Sequence, residues 1–130
     1  MALGADAVSI GSAAMIALGD NDPKWEKDYN KLGSKAGAYD DWHEGNDPAG
    51  ITTQDPELMK RFDPVVGGKR LSNYLKVMTL EAQTIARASG KNDLHNLEPE
   101  DLCALTVESA AMARVPLAGT NWIPGIKDKK

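Results

Sequence analysis

The sequence predicts a mainly helical chain with at most one short strand. Two Asp-Pro steps, at residues 55–56 and 63–64, each place a capping carboxylate before a first-turn proline, as at the start of a helix. The second step is followed by apolar residues at three- and four-residue spacing up to Gly90, which indicates a long amphipathic helix. The one candidate strand is residues 5–10, which carry a short β-branched run.

Composition sets the class of protein. The chain has 130 residues and a formal net charge of −4, which disfavours a nucleic-acid partner. The apolar run at 7–18 is too short to cross a membrane, and no basic residue precedes it as in a signal peptide. Cys103 is the single cysteine, so no disulfide forms within the chain, and we expect its thiol to be buried on the last helix. A cytoplasmic protein is therefore expected.

The first 54 residues hold the less regular elements. Residues 5–10 predict a strand that ends at Gly11, after which Ser12 caps a helix over 13–18. A single helix over about 3–18 is an equally open alternative. Residues 20–54 form a loop-rich insertion, with a possible helix at 24–36 where apolar residues recur at helical spacing.

Residues 55–130 form a C-terminal helical region. A short helix is expected from Asp55 to about Phe62, then a long one over about 64–89, and a last one from about Pro99 to Arg114. The apolar face of the long helix consists of Leu71, Tyr74, Leu75, Met78, Ala82, Ile85 and Ala86. The expected face of the last helix consists of Leu102, Leu105, Thr106, Ser109, Met112 and Ala113.

Gly11 and Ser12 are the candidate binding residues. A glycine after a strand lets the backbone approach a phosphate, and the helix that follows offers free N–H groups and the positive end of its dipole. An apolar run followed by Gly-Ser is also common in proteins without such a site. The acidic stretch at 40–44 could hold a metal, but adjacent loop residues rarely converge on one ion, so a solvated loop is favoured. No residue is predicted as a catalytic acid, base or nucleophile.

Two segments resemble FMN-dependent glutamate synthases. Residues 4–19 (GADAVSIGSAAMIALG) are similar to the eighth strand and helix of the FMN-binding barrel, and residues 50–58 (GITTQDPEL) to the family's GIATQDPEL. The similarity continues through residues 73–75. Residues 95–102 and 115–122 resemble the glutamate synthase-like large subunit of N-methylglutamate synthases, also called methylamine–glutamate N-methyltransferases.

The resemblance implies an activity that needs more than this chain. It implies formation of glutamate or N-methylglutamate from 2-oxoglutarate, through 2-iminoglutarate that FMN reduces. Gly11 and Ser12 would hold the FMN phosphate, and Gln54 would lie in a loop near the barrel mouth. Residues 1–19 would be the last strand and helix of the barrel, so the missing barrel portion or other subunits would be partners. The chain alone is then expected to be inactive.

Asp20 and Asp47 mark a departure from the family. They stand at two positions where glutamate synthases carry cysteines of an iron–sulfur motif, so no iron–sulfur cluster is expected here. A rival interpretation is a non-enzymatic helical interaction protein, whose apolar faces associate with a second copy to form a homo-oligomer.

Overall fold

The computed structural model describes residues 1–126, and it is mainly helical, as predicted. The α-helices are α1 (Ser12–Leu18), α2 (Glu26–Lys31), α3 (Pro56–Met59), α4 (Pro64–Ala88) and α5 (Val107–Ala113). Short 3-10 turns occur at Pro23–Trp25, Trp42–Glu44, Leu94–Asn96 and Pro99–Asp101. The β-structure of the described residues is one isolated parallel bridge, between Ala104 and Leu117.

The chain divides into two compact units. One unit is Ser9–Met78, and the other consists of Met1–Val8 together with the described residues from Thr79 onward. Each unit has a small core of its own. The candidate site lies wholly in the Ser9–Met78 unit.

The N-terminal segment differs from both expectations. Residues 5–10 form no strand, because no other extended segment of the described residues pairs with them. The single helix over 3–18 is wrong because α1 begins at Ser12. Ser12 is the first helical residue and not the cap. The cap position is Gly11, which has φ 49° and, being a glycine, has no side chain to accept a hydrogen bond from the helix start. Gly19, with φ 113°, ends α1 as predicted.

The helix predicted at 24–36 is shorter than expected. It consists of a 3-10 turn at Pro23–Trp25, where Asp22 accepts from the Lys24 N–H, and then α2. The chain leaves the helix at Leu32 because Gly33 adopts φ 71°, and the N–H of Ser34 turns back to the carbonyl of Tyr29.

The two Asp-Pro helix starts are confirmed. Asp55 accepts from the N–H groups of Glu57 and Leu58 at 2.7 and 3.1 Å, which opens α3. Asp63 does the same for the first turn of α4, which runs to Ala88, one residue short of the predicted end. The predicted apolar face of α4 is only partly buried. Ala86 is buried, and Leu71, Met78 and Ala82 are half-buried, whereas Tyr74, Leu75 and Ile85 are exposed.

The prediction of one helix from Pro99 to Arg114 is wrong. A 3-10 turn at Pro99–Asp101 gives way to extended backbone at Leu102, and Ala104 then exchanges hydrogen bonds with the chain around Leu117. The helix restarts only at Thr106, whose side chain accepts from the Ser109 N–H and caps α5. Because the register is reset there, a different set of residues is turned inwards.

The buried residues of this C-terminal part are small. Ala104, Ala110 and Val115 form its core, whereas Leu105 and Met112, both expected on the buried face, are 85% and 86% exposed. Cys103 is also exposed, contrary to prediction, because it lies on the extended stretch before α5 and not on a helix.

Aromatic residues build the core of the Ser9–Met78 unit. Tyr29, Tyr39 and Ala49 are buried, and Trp42 packs against them. The Tyr29 and Tyr39 rings lie 5.8 Å apart, and the Trp42 ring meets Tyr39 edge-on at 5.0 Å. This arrangement holds α2 against the loop that leads into residues 47–54, and so brings together the groups described next.

Candidate functional site

Gly11 and Ser12, the residues predicted from the sequence, lie on the surface at the start of α1. Both are exposed, and Gly11 is the glycine whose φ of 49° and ψ of −126° turn the chain into the helix. A Cβ at position 11 would meet no atom within 4 Å, so the backbone there is open to a ligand. The structure thus places both residues together at an accessible turn.

A buried polar cluster lies elsewhere in the same unit. Asp20, Tyr29 and Asp47 are 1%, 0% and 0% exposed, and they form what we call the Asp–Tyr–Asp cluster. The hydroxyl of Tyr29 lies 2.5 Å from Oδ1 of Asp20 and 3.0 Å from Oδ1 of Asp47. A phenol has one proton, so two carboxylates share a single donor.

Each member of the cluster comes from a different element. Asp20 follows the left-handed Gly19 that ends α1, and Tyr29 lies on α2. Asp47 begins the turn that leads into residues 50–54. The second oxygen of Asp20 accepts from the N–H of Gly37 at 3.1 Å. The cluster therefore ties the end of α1, the middle of α2 and two loop segments to one another.

Asp47 organises the loop that follows it. Its carboxylate accepts from the N–H groups of Ala49, Ile51 and Thr52 at 3.0, 2.8 and 2.9 Å. Hydrogen bonds from backbone N–H groups to a carboxylate are charge-assisted and roughly twice as strong as neutral ones. The backbone of residues 50–54, which we call the 50–54 segment, is thus fixed by one buried side chain.

The 50–54 segment is held at both ends. Gly50 has φ 79° and packs so closely on the neighbouring helix that a Cβ there would lie 2.2 Å from the carbonyl oxygen of Leu58. At the other end, the Thr53 hydroxyl donates to the carbonyl of Gly45 and accepts from the N–H of Asp55. Gln54, between these anchors, is exposed. The segment therefore presents the Gln54 side chain from a rigid backbone.

The electrostatics keep Tyr29 protonated. Burial is the largest cause that raises its pKa, followed by the hydrogen bond to Asp20 and the negative charge of Asp47. The phenol accordingly stays a neutral donor at ordinary pH. No buried side-chain N or O atom of the described residues lacks a hydrogen-bond partner, so the cluster is internally satisfied. Its chemistry is to hold backbone in place.

The acidic stretch at 40–44 is solvated, as favoured from the sequence. Asp40, Asp41, His43 and Glu44 are exposed, and His43 lies 3.2 Å from the carboxylate of the adjacent Glu44. Across residues 1–126, no group of three or more His, Cys, Asp or Glu side chains is arranged to hold a metal ion. Over the same described residues, no helix combines the length and apolar character needed to cross a membrane.

Comparison with known proteins identifies the family. Residues 38–92 match the conserved region in glutamate synthase. The chain is also 80% identical, over 125 residues that make up 96% of its length, to a glutamate synthase large subunit-like protein of Rhizobium meliloti. The chain carries the conserved region of the glutamate synthase family. The matched stretch is 28% of the Rhizobium protein, so this glutamate synthase-like chain spans little more than a quarter of that relative.

More distant relatives carry the same stretch. The chain is 41% identical to an archaeal glutamate synthase [NADPH] of Methanocaldococcus jannaschii, over 75% of its own length and 16% of that protein. It is 33% identical to an archaeal-type glutamate synthase [NADPH] of Dehalococcoides mccartyi, over 92% and 21% of the two chains. No solved structure gives a significant match.

The conserved glutamate synthase region contains only part of the cluster. Asp47, the 50–54 segment and α4 lie within residues 38–92, whereas Asp20 and Tyr29 lie before it. Sequence reasoning singled out Asp20 and Asp47 but did not bring them together, and it missed Tyr29 as a polar partner. The signal available was chemical, because a buried carboxylate requires donors and a tyrosine at helical spacing with a core residue can supply one.

Proposed function

We propose that the chain is the C-terminal part of an FMN-dependent glutamate synthase-like oxidoreductase. The whole enzyme would form glutamate or N-methylglutamate from 2-oxoglutarate. The observation that carries this proposal is the 80% identity along nearly the whole chain to a large subunit-like protein more than three times as long. On this proposal the chain works in the cytoplasm with the missing barrel portion or other enzyme subunits, and is inactive alone.

In this proposal residues 5–10, which form no strand in this structure, would pair with the rest of the barrel, so that residues 1–19 become its last strand and helix. Gly11 and Ser12 would contribute to holding the FMN phosphate, since position 11 offers backbone without a side chain and Ser12 adds a hydroxyl at an exposed turn. FMN, when bound, supplies hydride transfer. These two residues make only one wall of a site, so the remaining contacts would come from outside residues 1–126.

The chain's own contribution, on this proposal, is the rigid 50–54 segment at the mouth of the barrel. Asp47 accepts from the N–H groups of Ile51 and Thr52 in the 50–54 segment and from that of Ala49 just before it, and Gly50 packs against Leu58. Gln54 would then face the barrel mouth at a set position. Geometry held by buried hydrogen bonds suits a residue that must meet a substrate in one orientation.

We further propose that the enzyme uses no iron–sulfur cluster in this region. Support comes from the contacts of Asp20 and Asp47, whose oxygens are bound by Tyr29 and by backbone N–H groups. Carboxylates are hard ligands, whereas such clusters are held by thiolates. Iron, labile sulfide and the visible spectrum after anaerobic purification test this, and a stoichiometric cluster would overturn it.

A domain exchange tests the main proposal. In the Rhizobium meliloti relative, the 125 matched residues are replaced by this chain, and bound flavin is measured against the parent protein. We expect flavin content equal to that of the parent, and product formation from 2-oxoglutarate with ammonia or methylamine identifies the amine. The chain alone should not bind FMN. A hybrid that folds but loses the parent's flavin contradicts the proposal, as does micromolar FMN binding by the chain alone.

Exposed apolar side chains favour a second candidate function. Val65 is 80% exposed at the start of α4, and Met112 is 86% exposed on α5. Such residues suit a non-enzymatic interaction protein that forms a homo-oligomer. Light scattering after gel filtration decides this. A stable dimer whose association is lost in Val65→Glu, with no flavin in the hybrid above, would favour self-association over the enzyme.

A further inference from the structure

A basic cleft lies in the Ser9–Met78 unit, beside the Asp–Tyr–Asp cluster. Its lining includes Gly19, which precedes Asp20, and Ala49 and Ile51, whose N–H groups bind Asp47. It has a volume of about 130 Å³, and its lining residues include Gly19, Trp25, Phe62 and Gly67. The cleft is far larger than the space one water needs, so a group of several heavy atoms can enter. The proposed enzyme function assigns no ligand to this cleft.

Three cations surround this cleft: Lys24, Arg61 and Arg70. Lys24 and Arg61 both lie over the Trp25 ring, at 4.7 and 5.0 Å from its centre. These cation–π contacts hold the two charges beside the opening. Arg70 projects from α4 across Gly19, and its Nη1 lies 3.0 Å from where a Cβ of residue 19 would be. Glycine at 19 therefore makes room for the Arg70 guanidinium.

Two carboxylates also line the cleft, and both are already engaged. Asp22 accepts from the Lys24 N–H and pairs with its ammonium at 3.2 Å, while Asp63 caps the first turn of α4. Arg61 is engaged too, with Asp28 at 3.3 Å and the Pro48 carbonyl at 3.0 Å. The lining thus carries three positive and two negative charges.

Arg70 is the cation left over. Within residues 1–126 it forms no ion pair within 4.0 Å and no hydrogen bond, although its positive charge also acts on Asp22, which lines the same cleft. A planar guanidinium presents parallel N–H donors that match the two oxygens of a carboxylate or phosphate. An anion seated there would face Arg70, with Lys24 and Arg61 adding positive charge from the Trp25 side.

We propose that this cleft is a binding site for a small anion, taken through its phosphate or carboxylate group, with Arg70 as the principal contact. Gly19 leaves room for the Arg70 guanidinium, and the positive charges of Lys24 and Arg61 strengthen the attraction of the anion. The site is independent of the FMN proposal, since Gly11 and Ser12 do not line it.

Amide NMR tests the site on the full chain. Inorganic phosphate and acetate are titrated separately, with chloride at equal ionic strength as the reference, while the Gly19 and Gly67 signals are followed. We expect saturable shifts with phosphate, acetate or both, and the pair of titrations identifies which group the cleft prefers. Arg70→Gln should weaken binding at least about tenfold, because a hydrogen-bonded charge contact of this kind contributes about 1.5–3 kcal/mol.

Arg87→Gln is the matched control, because Arg87 is an exposed arginine on the same helix and does not line the cleft. It should bind the anion as the wild type does. If Arg70→Gln unfolds, Arg70→Lys keeps the charge but loses the planar fork, and its affinity should fall several-fold. Shifts that do not saturate, or that match the chloride reference, overturn the proposal. So does wild-type affinity in the Arg70 variants.

Discussion

Asp20 and Asp47 meet at a single atom, the hydroxyl oxygen of Tyr29, which lies 2.5 Å from one carboxylate and 3.0 Å from the other. Two buried acidic side chains that share one donor are stable only if further donors reach them. Gly37 supplies one to Asp20, and the 50–54 segment supplies most of those that Asp47 receives. Removing any member of the cluster should therefore leave the other members with unsatisfied hydrogen-bonding groups.

Tyr29→Phe should lower the free energy of unfolding by about 1–3 kcal/mol, since it leaves two buried carboxylates without their shared donor. The ring still fills its place beside Tyr39, so the loss reports the hydroxyl. Urea denaturation measures it. Tyr74→Phe is the control, because Tyr74 is exposed on α4 and its hydroxyl forms no hydrogen bond among those described. Equal stability of the two variants would contradict the prediction.

Alkaline pH should weaken the protein through Tyr29. An unfolded tyrosine has a pKa of about 10, and burial together with Asp20 and Asp47 raises the pKa of Tyr29 in the folded chain. Above pH 10 the folded state keeps a proton that the unfolded state has lost, so the free energy of unfolding falls as pH rises, by up to about 1.4 kcal/mol per pH unit. Below pH 10 this contribution is fully present.

The measurement is the difference in unfolding free energy between wild type and Tyr29→Phe from pH 8 to pH 11. Lysines and other tyrosines titrate in both proteins, so the difference isolates Tyr29. We expect the advantage of the wild type to shrink above about pH 10. A difference that stays constant across that range would show that the hydroxyl is not held as described.

Asp47→Asn should release the 50–54 segment. The amide keeps one acceptor oxygen but turns N–H groups towards the backbone donors of Ile51 and Thr52, so we expect a loss of at least about 2 kcal/mol. Hydrogen exchange at those two amides should accelerate. Asp40→Asn, at an exposed acid of the same loop region, should change neither quantity. Unchanged exchange at Ile51 in Asp47→Asn would refute the role given to the carboxylate.

Gly50→Ala should destabilise the chain by at least about 2 kcal/mol, since residue 50 has a left-handed backbone and its Cβ would overlap the Leu58 carbonyl oxygen. Gly68→Ala is the opposite case. Gly68 lies inside α4 with nothing within 4 Å of its Cβ position, so alanine there should stabilise by about 0.5–1 kcal/mol. Thermal melts of the pair give the sign of each change, and a neutral Gly50→Ala would be the contradicting result.

The sequence correctly predicted the two helices that begin with an Asp-Pro capping signal. α3 and α4 begin where Asp55 and Asp63 precede a proline, and both caps are formed as expected. The prediction of the last helix was wrong because the apolar spacing continues through Thr106 without a break. Threonine is itself a good N-cap, and Thr106 caps α5. An apolar pattern also overstates burial, as Leu75 shows by being exposed on the face predicted as core.

The candidate site depended on contacts that no local pattern contains. Asp20, Tyr29 and Asp47 come from three elements, and their meeting follows from the way α2 packs on the loop before residue 47. The sequence pointed to Asp20 and Asp47 only through resemblance. What it lacked was the third partner, because a tyrosine at helical spacing reads equally well as a core side chain.

The contacts of Asp47 have a consequence for the conditions in which this loop keeps its shape. Every group that fixes the 50–54 segment through Asp47 is a carboxylate, a hydroxyl or a backbone amide. None of these reacts with molecular oxygen, is removed by a chelator or changes oxidation state. On the proposal that this region holds no cluster, the loop needs neither iron nor a maturation factor to take its shape.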